Sequence, residues 1–210
     1  MNTGPSRSPL RAALLLLALA APTPAAGPAL RAGVVPADPG SPSLELQVKA
    51  AFLYNFAKFA EWPDDAFRGP DAPLLIGVVG GDLFLEALER GVAGKTVGGR
   101  PFAVRRVRDP VADPVCHILF VAAGEARRLP RLLEQLGGAP VLLVGETPGF
   151  ASEGGVINFF IEENRVRFEV NLTSAERARL RLSSKLLSLA RLVGARPAAA
   201  TGPVPLEERP

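Results

Sequence analysis

Cysteine, histidine, tryptophan, tyrosine and methionine each occur once in the 210 residues. The lone Cys116 excludes an intramolecular disulfide, so the fold must be held by packing. The lone His117 leaves no Cys/His/carboxylate cluster with the spacing of a metal site. A histidine-based triad would have to use that one residue, and no Gly-x-Ser-x-Gly elbow accompanies it. Long apolar runs are scarce as well. Apart from Ala12–Ala21, no stretch approaches the roughly 20 apolar residues a membrane span requires, and that run is about half as long.

The start of the chain also lacks acids. Met1 to Arg11 carries Arg7 and Arg11 and no carboxylate, Ala12 to Ala21 is unbrokenly apolar, and Pro22 to Ala26 is small-residue. This order is that of a secretory leader, and cleavage is expected after Ala25 or Ala26. No cysteine stands near that point to accept a lipid. Loss of the two leader arginines lowers Lys plus Arg from 24 to 22 against 21 acids, leaving a charge of about +1. A near-neutral exported protein offers no electrostatic footprint for nucleic acid. The expected organisation is a leader at 1–26, a Pro/Gly/Ala-rich linker at 27–42, one domain at 43–194 and a similar tail at 195–210.

Within the domain, Ser43 caps a helix predicted over Leu44 to about Trp62, ended by Pro63. Val48, Phe52, Phe56 and Phe59 form its apolar stripe. Leu74–Val79, Phe102–Val107, Ile118–Ala122 and Val141–Val144 read as strands, with helices over Leu83–Arg90 and Arg127–Leu136 between them. Asp82 is the expected cap of the first of these helices. The alternation predicts an α/β fold, a mixed sheet with largely parallel strands flanked by helices. Val156–Ile161 and Arg165–Asn171, joined by Glu162-Glu163-Asn164, read as an antiparallel hairpin. The second strand alternates Val166, Phe168 and Val170 with Arg165, Arg167, Glu169 and Asn171, predicting one wet face. Thr173-Ser174-Ala175-Glu176 resembles a capping box opening a last helix to about Val193, with Ala175, Ala178, Leu182, Leu186, Leu189 and Val193 on one face.

Sites for phosphate and nucleotides are poorly supported. Gly91-Val92-Ala93-Gly94-Lys95-Thr96 has Glu89 where a phosphate-binding loop needs its first glycine, and it follows a helix. Gly77 to Asp82 is well placed for a dinucleotide loop but lacks the glycine spacing. An anion at Gly80, Gly81 and Asp82, on the helix start, is the surviving version. The pairs Glu162-Glu163 and Asp64-Asp65 read as exposed turn residues. Asn171-Leu172-Thr173 matches a glycosylation sequon but serves a strand end and helix cap better. Cys116 opens an apolar strand-like run and reads as a buried small hydrophobe, an intermolecular disulfide or redox role being the alternative.

Four blocks carry a resemblance. Val48-Lys-Ala-Ala-Phe-Leu-Tyr-Asn-Phe-Ala-Lys-Phe-Ala-Glu-Trp-Pro63 comes first, then Cys116-His-Ile-Leu-Phe120, then Gly154-Gly-Val-Ile-Asn158. Last comes Val166-Arg-Phe-Glu-Val-Asn171 leading to Ser183-Ser-Lys-Leu-Leu187. In this order they resemble the YfiR family across residues 44–193. The resemblance implies a periplasmic, often dimeric, non-catalytic protein without cofactors. It implies repression of a membrane-bound diguanylate cyclase by contact with its periplasmic region, lowering cyclic-di-GMP signalling and biofilm formation. Some members pair the cysteine matching Cys116, and this chain has no partner for it. The position matching Glu169 lies on a partner surface in the family; an alternating charged strand face can equally be just solvated. Glu169 and Arg167 share one side of their strand. Arg177, Arg181 and Lys185 recur every four residues of the predicted last helix as a basic stripe. These five residues are the candidate partner surface, with Tyr54 and Lys58 of the first helix as another location. A periplasmic small-molecule sensor is the alternative function, and an enzyme the third class.

Overall fold

A computed structural model of the protein describes residues 43–108 and 116–194. The predicted leader at 1–26, the linker at 27–42 and the tail at 195–210 lie outside the described residues.

The Ser43 hydroxyl accepts from Leu46 N–H at 3.4 Å and starts α1, Leu44–Phe59. This helix stops before Trp62, earlier than predicted. Ala60–Glu61, strand β1, turns extended to pair with Leu182 and Arg181, and the Trp62 indole donates to the His117 carbonyl at 3.2 Å. The helix buries Lys49, Ala50, Leu53, Phe56 and Ala57. Of the predicted stripe only Phe56 is fully buried; Val48, Phe52 and Phe59 are half-buried along its margin. Phe56 packs on Phe159 and Phe168 with ring centroids 5.6 and 5.0 Å away.

A short 3₁₀ turn over Asp64–Ala66 leads to β2, Leu74–Val79, then to α2, Asp82–Val92. Gly81, at φ +67°, caps α2, so Asp82 is its first helical residue and not its cap. The stretch from Gly91 to Arg100 holds the end of α2 and a small antiparallel pair, β3 (Thr96–Val97) with β4 (Arg100–Arg106). Next come β5, Ile118–Val121, a 3₁₀ segment over Ala123–Arg128, α3, Leu129–Leu136, and β6, Leu142–Gly145. The hairpin is β7, Ile157–Glu162, with β8, Arg165–Asn171, turned by Glu163 and Asn164 at positive φ.

The predicted last helix does not form. Its residues are instead α4 (Leu172–Arg177), β9 (Arg181–Leu182), α5 (Ser184–Leu187) and β10 (Arg191–Val193). Asn171 caps α4 by accepting from Ser174 N–H at 3.1 Å, in place of the predicted capping box. Arg179 adopts φ +54°, Ser183 N–H donates to the Phe59 carbonyl at 2.9 Å, and β9 pairs with β1. The apolar spacing is helical, but backbone partners outside the segment override so weak a local preference.

The result is a single α/β domain whose main sheet runs β10-β8-β7-β6-β5-β2-β4-β3. Neighbours from β4 through β7 are parallel, β7/β8 is antiparallel, and β10 joins β8 in parallel. Phe120 of β5 packs on Phe84 of α2 with ring centroids 4.1 Å apart, and α1 packs against α2 and β8. Leu143, one residue out of phase, faces α3 and α4 on the other side of the sheet. His117, just before β5, is buried beside Trp62 and Phe67. Its Nδ1 accepts from Leu75 N–H at 2.9 Å, its Nε2 lies 3.2 Å from the Ala66 carbonyl, and its ring stacks on Phe67 at 4.2 Å. Burial pushes its pKa below the ordinary 6.5, against the Ala66 hydrogen bond and with the help of nearby Arg100. Cys116 is buried and free of disulfides.

Candidate functional site

Strand register builds one polar row across the sheet. Val79, Val121, Gly145, Asn158, Glu169 and Arg191 are successive cross-strand partners from β2 to β10. Cross-strand neighbours project to the same face, so the last three side chains meet. Asn158 Nδ2 donates to Glu169 Oε1 at 3.1 Å, and the Arg191 guanidinium donates to Glu169 Oε2 at 3.1 Å. Arg191 also lies over the Phe160 ring at 3.9 Å. Glu169 is 7% exposed and Asn171 is fully buried, so β8 has no continuous wet face. The predicted alternation holds only at the hairpin end, where Arg167 is exposed and reaches Glu162 at 3.9 Å. Glu169 is taken up by Asn158 and by Arg191 of β10, a strand that was read as helix, and Asn171 by the Ala151 carbonyl and the Ser174 N–H.

A second polar group stands beside this row. Lys49 is buried on α1 between Glu45, at 2.5 Å, and Glu146, at 2.7 Å. Burial works against its charge, but the hydrogen bonds to Glu146 and Glu45 outweigh that and hold its pKa above the usual 10.5. Glu146 also accepts from Ala123 N–H at 3.0 Å, which ties the segment after β6 to the end of β5. β6 pairs with β7 at only two positions, Val144↔Ile157 and Gly145↔Asn158, whereas β7 continues to Glu162. This step leaves one edge of Phe159–Ile161 without a strand neighbour and opens a cavity of about 600 Å³ at the carboxyl end of β6. Its wall after β6 is held by Phe150. A Cβ on Gly145 or Gly155 would lie 2.5 or 2.3 Å from that ring, so both positions require glycine to admit it.

The remaining candidate residues spread over the surface. Arg177 ends α4, Arg181 lies in β9 opposite Glu61, and Lys185 lies in α5; all three are exposed. They share a stretch of chain but form no helical stripe. Gly80 and Gly81 have φ of +75° and +67° at the end of β2; Asp82 bonds to Arg106, and Glu125 lies over Gly80. Tyr54 packs beside Phe102 with Lys58 and Lys95 over its ring. Asp64 and Asp65 are exposed, Asp65 pairing with Arg179 at 2.9 Å. Among the described residues, no group of three or more His, Cys, Asp or Glu could hold a metal ion, and no helix is long and apolar enough to cross a membrane.

Residues 46–191 match a family model described as YfiR/HmsC-like. The chain belongs to that family. Membership carries a regulatory theme: YfiR-like proteins are periplasmic regulators of cyclic-di-GMP signalling and are regulatory rather than catalytic. The matched span includes every element from within α1 to the first residue of β10, so the family's domain contains the whole polar row. Sequence reasoning singled out Glu169 from that row and missed Asn158 and Arg191 within it and Lys49 and Glu146 beside it. Two signals were available. Glu45 and Lys49 stand four apart on α1, and Asn158 closes one of the four family-like blocks.

Proposed function

We propose that the protein represses a membrane-bound diguanylate cyclase by binding its periplasmic region through the surface built from residues 172–192. The observation that carries this reading is a set of uncovered apolar side chains among exposed cations. Leu172, Leu189 and Leu192 are 37%, 69% and 55% exposed, and Arg177, Arg181 and Lys185 are exposed on the same stretch. Apolar anchors inside a charged rim are the composition of a protein interface. The anchors supply most of the affinity, and the cations set encounter rate and orientation. Repression requires tighter binding to the inactive state of the cyclase than to the active one, because equal affinity shifts no equilibrium. Family membership supports the pathway.

The test pairs capture of the purified chain by the periplasmic region of a candidate cyclase with cyclic-di-GMP measurement in a deletion strain. Deletion should raise cyclic-di-GMP, and Leu192→Glu and Arg181→Glu should release the cyclase while keeping the parent's melting temperature. Unchanged cyclic-di-GMP on deletion would overturn the reading.

A further inference from the structure

Asn158 is 1% exposed and lines the cavity at the carboxyl end of β6. Its amide orientation is fixed chemically. Paired with the Arg191 guanidinium, the Glu169 carboxylate accepts, so the nitrogen of Asn158 faces it and the oxygen points away. That buried Oδ1 has no donor among the described residues. A buried acceptor left unpaired is costly, and native proteins retain few of them without a functional reason.

The surroundings specify what would satisfy it. Three carboxylates line the cavity, Glu45, Glu146 and Glu169, against two cations, Lys49 and Arg191. Lys49 is committed to Glu45 and Glu146, and Arg191 to Glu169 and the face of Phe160. A carboxylate offers about four acceptor positions, and Glu169 receives two bonds. The cavity is therefore rich in acceptors and negative by one charge, with Phe159, Phe160 and Ile161 as an apolar wall. A volume of about 600 Å³ suits a small organic molecule. The place is also the usual one, since open α/β sheets hold ligands outside the carboxyl ends of their strands.

We propose that this cavity binds a small protonated amine carrying an apolar or aromatic group, the ammonium donating to Asn158 Oδ1 and Glu169 and the apolar part lying along Phe159–Ile161. The site goes beyond the regulatory reading and does not depend on it. A ligand there would touch Glu169, buried beneath the edge strand that bears Leu192.

The test uses the purified chain alone, with phenethylammonium, butylammonium and benzylammonium as probes and 2-phenylethanol and 3-phenylpropionate as neutral and anionic comparisons. Calorimetry should show at least one amine binding about tenfold or more tightly than either comparison. The same amine should shift the Asn158 side-chain amide resonance. Asn158→Leu, which removes the acceptor, should weaken it about tenfold. Ala123→Trp fills the exposed mouth without altering the buried row and should block binding even if Asn158→Leu fails to fold. No binding by any of the three amines, equal or tighter binding of the anion, or undiminished binding to Ala123→Trp would overturn the proposal. None of those results bears on repression, which the deletion strain tests separately.

Discussion

Glu169→Arg is the sharpest perturbation the structure offers, because sequence and structure expect different results from it. On a wet strand face the exchange would leave the melting temperature unchanged. In the structure Glu169 is 7% exposed and accepts from Asn158 and Arg191. Replacement by Arg orphans the buried Asn158 amide nitrogen, at about 1–3 kcal/mol. It also sets two guanidinium groups against each other at a nearly buried position. The Arg191 side chain is 54% exposed, so solvent screens its ion pair to about 0–1 kcal/mol, and Arg191→Ala should cost no more than that. The total for Glu169→Arg is then about 3 kcal/mol, which lowers the melting temperature of a domain this size by roughly 6–12 °C. Circular dichroism melts of parent, Arg191→Ala and Glu169→Arg measure both steps. A Glu169→Arg protein melting within about 2 °C of the parent would refute the reasoning. Loss of repression by Glu169→Arg alone therefore cannot identify an interface, and variants at exposed Arg181 and Leu192 are the proper probes.

Phe56→Ala should cost about 3–5 kcal/mol in urea denaturation, since its ring fills the junction of α1 with Phe159 and Phe168. His117 has a folded pKa below its unfolded value of 6.5, so the unfolded state binds the proton first and stability declines as pH falls through 6.5 toward the folded value. Urea midpoints taken from about pH 8 to about pH 5 should show that decline, and His117→Asn should flatten it. Cys116, 7% exposed, should resist thiol reagents until unfolding, and Cys116→Ala should cost about 1 kcal/mol without changing repression. Rapid labelling of the native protein would place the thiol at the surface.

The central parallel strands β2, β5 and β6 were legible because each is a short, unbroken apolar run between breakers, and β2 spans Leu74–Val79 as read. The hairpin was legible from its polar two-sided turn. The C-terminal segment was not, because Ala175, Ala178, Leu182, Leu186, Leu189 and Val193 have helical spacing while Arg179 takes a backbone conformation no periodicity reveals. Misreading β10 as helix hid the cover over Glu169, and with it the buried row. The cavity was illegible for a related reason. It exists because β6 stops two pairs into β7, and strand length against a partner is a property of the sheet.

The ring of Phe150 gives the site two sides with separate clocks. Wedged against Gly145 and Gly155, it anchors the turn between β6 and β7 in the core at Phe150, Ala151 and Val156. The opposite side ends in β10, three residues held by one neighbouring strand and bearing the exposed Leu192. Amide protons on the plugged side should exchange only through global opening, and those of Arg191–Val193 through local fraying. Arg191, which bonds to Glu169 at one wall of the cavity, rides on that outer strand, so whatever fastens β10 also steadies this wall.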